Sequence, residues 1–311
     1  MSVLAVRRFP GPAWDELENV DYLEWPLAGP QPGYEVLAVV ARPVDEQTLE
    51  LLPDLRLVAN YGVGYDGIDV EACARRGIAV SNTPEALGIA TADLTMALIL
   101  AVRRRIVEGD RFVRERKWGV EWVSGALMGD ELGGATLGIV GLGRIGRAVA
   151  GRAQAFDMRV VYTRRSAQRE PGIEFRELDD LLRESDVVTL HLPLTDETRG
   201  LMDKRRLALM PDGACLVNTA RGSIVDQEAL TRELVSGRLK AGLDVFADEP
   251  DVPAELLGQP NVVLLPHIGS ATPRTREAAT AELVVNIKAA LAGEPLPNPV
   301  PGSATLPLRA P

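Results

Sequence analysis

The chain is predicted to be an α/β protein with two doubly wound, mostly parallel sheets, one domain inserted into the other. Three observations lead to this. Short apolar runs alternate with helix-period segments along the whole chain. A strand, glycine turn and helix in immediate succession begin only at Ala135, well inside the chain. The long helical segment at 275–291 comes after the last strand and is expected to return to the first block.

Taken in order, residues 3–6, 36–41, 55–59 and 78–80 are apolar, Val/Leu/Ile/Ala-rich runs of strand length, with helices at 46–52 and 70–76 between them. An apolar-periodic helix runs from Ala90 to about Ile106, and 107–117 continues it. The central unit then opens with a strand at 135–140, a helix at 144–156 and a strand at 159–163. Further strands fall at 186–190, 214–218, 241–245 and 262–265, separated by helices at 179–184, 204–210 and 226–236. A proline-rich stretch, 294–301, closes the chain as an extended arm. The domains this implies are 1–90 and 273–311 for the outer unit and 91–272 for the inserted one.

With 311 residues the chain is long enough for two cores. Its net charge of −10 argues against nucleic acid or an anionic membrane as a partner. The longest apolar run, 94–102, is too short to span a bilayer. The N-terminus has no charged segment ahead of a long apolar run, so no secretion signal is expected and a cytoplasmic location is. Cys73 and Cys215 offer neither a disulfide framework nor metal-ligand spacing and read as buried, inert thiols; no metal site is expected.

The inserted unit carries the most specific motif. Gly141-Leu142-Gly143-Arg144-Ile145-Gly146 lies between a strand and a helix. The glycines let backbone approach a pyrophosphate, and the helix N–H groups face it, which points to a dinucleotide site. An acid that would bind the adenosine ribose is expected about 20 residues past the first glycine. Here that strand ends in Thr163, followed by Arg164, Arg165 and Ser166. A carboxylate would repel a 2′-phosphate, whereas guanidinium pairs with it in a fork. The expected cofactor is therefore NADP, with NADPH preferred and NAD possible, although two arginines at a loop tip can also be plain solvated charge.

Reducing a 2-oxo acid needs a cation for the carboxylate, a proton donor for the developing alkoxide, and a partner that keeps the donor charged. Arg221 suits the first role, His267 the second and Glu249 the third. All three follow expected strands, where ligands of such sheets bind. Singly, each has a structural alternative: a helix cap for Arg221, a turn start for Glu249, a structural hydrogen bond for His267. The other histidine, His191, reads as structural or cofactor-adjacent.

The joint order of motifs is more telling. Asn60-Tyr-Gly-Val-Gly-Tyr-Asp66, the glycine fingerprint, His191-Leu-Pro-Leu-Thr195, Val217-Asn-Thr-Ala-Arg-Gly222, Gly242-Leu-Asp-Val-Phe-Ala-Asp-Glu-Pro250 and Pro266-His-Ile-Gly-Ser270 follow one another. Nearly end to end, this resembles the D-isomer-specific 2-hydroxyacid dehydrogenase family. The resemblance implies a central Rossmann dinucleotide-binding domain inserted in a flavodoxin-like substrate domain. It implies a carboxylate-binding loop at Val63 and Gly64 and a catalytic trio of Arg221, Glu249 and His267. Cofactor contacts are implied at Gly141 to Gly146, Thr163, Arg164, Arg165, His191, Pro193, Thr198, Thr219, Ala220, Asp244 and Gly269. Cofactor and substrate would meet in a cleft between the domains. Family members are typically homodimers joined through the nucleotide domains.

Within the family, the Thr163-Arg-Arg-Ser166 tip is similar to that of NADPH-dependent glyoxylate and hydroxypyruvate reductases. Trp118 and Trp122 lie where those enzymes place an aromatic that reaches the partner's site, although a core tryptophan is the alternative. No segment corresponds to the regulatory domain of the family's phosphoglycerate dehydrogenases. The implied activity is reduction of glyoxylate and hydroxypyruvate to D-hydroxy acids. The alternatives are another D-2-hydroxy acid, a 2-ketogluconate-type sugar acid, or a non-catalytic dinucleotide-sensing corepressor.

Overall fold

The computed structural model describes residues 2–119, 127–165 and 170–306. Trp122 and Ser166 lie outside them. The chain forms two compact units, Met1–Leu87 with Ser270–Pro311, and Gly88–Gly269. Each division falls three residues before the boundary expected from the sequence.

The first unit opens with β1 (Ser2–Ala5), β2 (Val20–Tyr22), β3 (Tyr34–Val39), α1 (Glu46–Glu50), β4 (Leu57–Asn60), α2 (Val70–Arg75) and β5 (Ala79–Ser81). The sheet order is β2-β1-β3-β4-β5, all parallel, which is the flavodoxin-like order. Successive residues face opposite sides: Val3, Ala5, Val36, Ala38, Leu57 and Ala59 enter one core, while Leu4, Leu37, Val39 and Val58 enter the other. Both short helices start at aspartates, Asp45 and Asp69, whose side chains accept from the N–H groups of Thr48 and Ala72.

The second unit begins with α3 (Gly88–Arg103) and α4 (Ile106–Arg114). The single helix expected to continue past 106 is instead broken, because Arg105 is left-handed at φ 51°. Then come β6 (Thr136–Val140), α5 (Arg144–Ala155), β7 (Arg159–Thr163), β8 (Glu174–Phe175), α6 (Leu178–Glu184), β9 (Val187–Leu190), α7 (Lys204–Leu207), β10 (Cys215–Asn218), α8 (Gln227–Val235), β11 (Lys240–Leu243) and β12 (Val262–Leu264). The sheet is parallel in the order β12-β11-β10-β9-β6-β7-β8, so the winding reverses between β6 and β9. Its central strands β6, β9 and β10 are buried on both faces, as the near-continuous apolar runs require.

The chain returns to the first unit through α9 (Pro273–Ala292). Thr272 caps it by accepting from Thr275 N–H, Pro273 occupies the first turn, and Gly293 ends it at φ 74°. Leu283, Val284, Ile287 and Ala290 cover one face of the first sheet. The proline-rich arm does not hang free. Val80 O accepts from Val300 N at 2.8 Å and Asn298 O from Asn82 N at 3.2 Å, which lays the arm antiparallel along β5. That covers an edge otherwise open to pairing.

Cys73 and Cys215 are buried, and burial pushes their thiols up to about 11 and about 12. No helix among the described residues is long and apolar enough to cross a membrane.

Candidate active site

The glycine turn leaves β6 at the point where the winding of the second sheet reverses. Gly141 sits at φ 99°, and a Cβ there would lie 2.5 Å from the carbonyl oxygen of His191. A Cβ on Gly146 would lie 2.3 Å from Gly141 O. Only glycine allows this packing of turn, strand β9 and helix α5. Gly143 differs: nothing stands within 4 Å of its hypothetical Cβ. It is the N-cap of α5 and supplies no side chain to the helix N–H groups. Backbone donors thus face open space, which fits a pyrophosphate.

Around this turn, Leu142 is buried, Ile145 packs against the core, and Arg144 is exposed. Thr163 O accepts from Gly141 N at 3.0 Å, tying the end of β7 to the turn. Arg164 stacks 5.9 Å above the Tyr162 ring, and Arg165 is exposed. No acid occupies the tip of β7 among the described residues. His191 follows β9, with its Nε2 3.0 Å from Thr189 Oγ1. Desolvation pushes this imidazole down to about 3, so it is neutral at pH 7. The Thr198 hydroxyl closes the next loop by donating to Pro193 O at 2.7 Å and accepting from Thr195 N at 2.8 Å.

The three residues proposed for chemistry lie beyond neighbouring strands β10, β11 and β12. His267 Nδ1 is 2.8 Å from Glu249 Oε2, and Glu249 Oε1 accepts from Phe246 N at 3.1 Å. Desolvation is the largest single influence on the Glu249 carboxyl and raises it. The hydrogen bonds from His267 and Phe246 and the charges of His267 and Arg221 together outweigh that and hold it below its ordinary value. Glu249 is therefore an anion at neutral pH, bonded to Nδ1 of the imidazole. His267 itself sits at φ 53°, a conformation that non-glycine residues adopt at a cost.

Asp244 sustains that conformation. Its carbonyl accepts from His267 N at 2.9 Å, and its buried carboxyl accepts from Ile268 N at 2.7 Å and Gly269 N at 2.8 Å. Burial raises the Asp244 carboxyl, and the two N–H donors oppose that. Asp244 and Gly269, both expected beside the cofactor, also hold each other and, through the loop, His267. Arg221 follows β10 with its guanidinium donating to Ala220 O at 2.7 Å. Asn218, buried, accepts from Ala220 N at 3.0 Å and donates to Arg221 O at 2.8 Å, which fixes the turn that carries Arg221. Thr219 Oγ1 lies 3.0 Å from Thr95 Oγ1 of α3.

In the first unit, the loop after β4 is held by its carbonyls. Asn60 Nδ2 donates to Gly62 O at 3.3 Å and Gly64 O at 2.9 Å, and Asn82 Nδ2 donates to Val63 O at 2.8 Å. Among the described residues, no acceptor takes the N–H of Val63 or Gly64. Such a loop presents donors suited to a carboxylate.

Sequence reasoning missed the supports Asn218, Thr95 and Gln227. Asn218 sat in a quoted motif with no role, and Thr95 and Gln227 read as ordinary helix residues. The partners of Thr95 and Gln227 are a hydroxyl and a backbone N–H far along the chain, which no local pattern reveals, while those of Asn218 are backbone groups two and three residues on.

The family profile described as D-isomer specific 2-hydroxyacid dehydrogenase, NAD binding domain, matches residues 96–269. A glyoxylate reductase of Pyrococcus furiosus is 47% identical over 267 residues, covering 83% of this chain and 80% of its own. One from Aeropyrum pernix is 45% identical over 294 residues, covering 92% and 88%. The crystal structure of an NADPH-dependent glyoxylate/hydroxypyruvate reductase from Sinorhizobium meliloti, in complex with NADP and malonate, is 32% identical. It superposes with a TM-score of 0.88 over 100% of this chain and 99% of its own.

Proposed function

Because the chain belongs to the D-isomer-specific 2-hydroxyacid dehydrogenase family, we propose that it reduces glyoxylate and hydroxypyruvate to 2-hydroxy acids, with NADPH preferred over NADH. The chain is an NAD(P)-dependent oxidoreductase of 2-oxo acids. The observation that carries the substrate reading is the 2.8 Å contact of His267 Nδ1 with Glu249, beside Arg221. The cofactor preference rests on the Thr163-Arg164-Arg165 tip, which offers cations where an acid would favour a free ribose hydroxyl.

Gly143, Arg144 and Ile145 would hold the pyrophosphate at the start of α5, with Thr163, Arg164 and Arg165 toward the ribose. When bound, the nicotinamide supplies the hydride that reaches the substrate's carbonyl carbon. His267 gives a proton from Nε2 to the carbonyl oxygen, while Glu249 keeps Nδ1 protonated and the ring oriented. Arg221 clamps the substrate carboxylate, joined by the N–H groups of Val63 and Gly64. Where the product is chiral it has the D configuration.

A homodimer is part of this reading, supported by α4. Among its described residues none is buried, and Ile106, Val107 and Val113 are exposed, as is Trp118 just beyond it. A cytoplasmic location suits an enzyme fed by reduced nicotinamide.

The test is a set of initial rates with glyoxylate and hydroxypyruvate, NADPH and NADH in parallel. We expect turnover of both acids, with kcat/KM at least about ten-fold higher with NADPH, the worth of one good charged contact. Turnover that favours NADH would refute the arginine argument. Absence of turnover with either acid would refute the substrate assignment.

A further inference from the structure

Glu249 stands on a loop, so something must hold its carboxylate on His267. The segment that follows Arg221 does so from two sides. A Cβ on Gly222 would lie 1.9 Å from Phe246 C and 2.3 Å from Ala247 N, so the Phe246–Ala247 peptide rests directly on the Gly222 backbone. On the same peptide, Ala247 N donates to Gln227 Oε1 at 2.8 Å. Gln227 opens α8, immediately after its N-cap Asp226, and is half-buried. The preceding peptide N–H, that of Phe246, donates to the Glu249 carboxylate itself. Two successive N–H groups therefore have one side-chain acceptor each, Glu249 for Phe246 and Gln227 for Ala247. Asn218, Gly222, Gln227 and Phe246 also line one small cavity, so the anchor, the glycine contact and the turn that carries Arg221 share one packed region.

We propose that Gln227 is a positioning residue: by anchoring the Phe246–Ala247 peptide against Gly222, it sets the Glu249 carboxylate on His267. It also ties the Glu249 loop to the segment that carries Arg221, so cation and acid–base pair stay in register. This rests on the catalytic assignment proposed above. The charged groups that bear on the pair from the surrounding loops are Arg221, after β10, and Asp244, at the end of β11.

The experiment compares Gln227→Met, which keeps length but loses the acceptor, with Gln227→Glu, which keeps the acceptor. Glyoxylate reduction is followed from pH 5 to 9, with His267→Ala measured alongside. We expect Gln227→Met to lower kcat/KM by roughly ten-fold, since a shift of a fraction of an ångström at a reacting group has effects of this order. Its alkaline limb should move to lower pH, because a displaced Glu249 no longer supports the charged imidazole, while the KM for NADPH stays the same. Gln227→Glu should return to within about three-fold of the wild type. Should the Met variant fail to fold, Gln227→Ser, too short to reach Ala247, takes its place.

An unchanged kcat/KM in Gln227→Met would overturn the proposal, as would a loss with no movement of the pH limb or no rescue by glutamate. If His267→Ala retains near-normal turnover, the catalytic assignment fails and this inference with it. If His267→Ala is inactive and Gln227→Met is unaffected, only the positioning role falls.

Discussion

Replacing Glu249 by glutamine removes one charge and almost no volume, so its effect measures what the anion does for His267. The pair meets at 2.8 Å, with charge centres about 4 Å apart, where attraction is about 1 kcal/mol in water and about 4 kcal/mol at an effective dielectric near 20. The two side chains are 48% and 35% exposed, which places the pair toward the weaker end, roughly 1–2 kcal/mol. That is about ten-fold in rate above the limb. Reduction needs the imidazole protonated, so its alkaline limb should move to lower pH. Oxidation of the hydroxy acid needs it unprotonated, so its acid limb should move in the same direction, and Glu249→Gln should gain relative activity at low pH. Full kcat/KM profiles in both directions test this. A general loss of folded enzyme lowers both directions together and moves neither limb. Limbs that coincide with the wild type would refute the charge argument.

Gly141→Ala should abolish measurable dinucleotide binding, because its Cβ would enter to 2.5 Å of His191 O and φ 99° is unfavourable for alanine. Fluorescence titration with NADPH checks it, and wild-type affinity would be the contrary result. The Asp130 carboxylate accepts from Lys240 Nζ at 2.5 Å, and this hydrogen bond, above all, holds it below its ordinary value. A lowered carboxyl stabilises the fold above its ordinary pKa of 3.8 and loses that contribution as pH falls through the lowered value. Asp130→Asn should therefore cost at most about 1 kcal/mol at pH 7, given its exposure, and less near pH 2. Urea melts at both pH values measure this, and a cost that grows as pH falls would contradict it.

Much of the architecture could be read from the sequence because parallel strands buried on both faces leave apolar runs that no loop imitates. β7 matches its expected span, residues 159–163, and β6 starts one residue inside its own. The alternation of the two units emerged from where the glycine turn falls. What escaped was whatever has no apolar signature. β2 is an edge strand with Asp21 and Tyr22 exposed, and β8 is two residues long. The break between α3 and α4 has no glycine or proline; it turns on a left-handed arginine. Within the site, motif order pointed to Arg221, Glu249 and His267, since chemistry restricts residue type. The supports were opaque, because Asn218, Asp244 and Gln227 work on backbone N–H groups, and any residue supplies those.

The first unit is assembled from both ends of the chain, and this sets an order on its making. As the polypeptide is synthesised, β1, β3 and β4 emerge with the face of Val3, Val36 and Leu57 bare, because the helix that covers it starts only at Pro273. The nucleotide unit, contiguous from Gly88 to Gly269, can close in the meantime. An apolar sheet must thus wait through some 180 residues of translation, on the order of ten seconds or more at typical speeds. Over that interval it is a target for chaperones or for another nascent chain, and a ribosome stalled before residue 273 would release a product half of which is native.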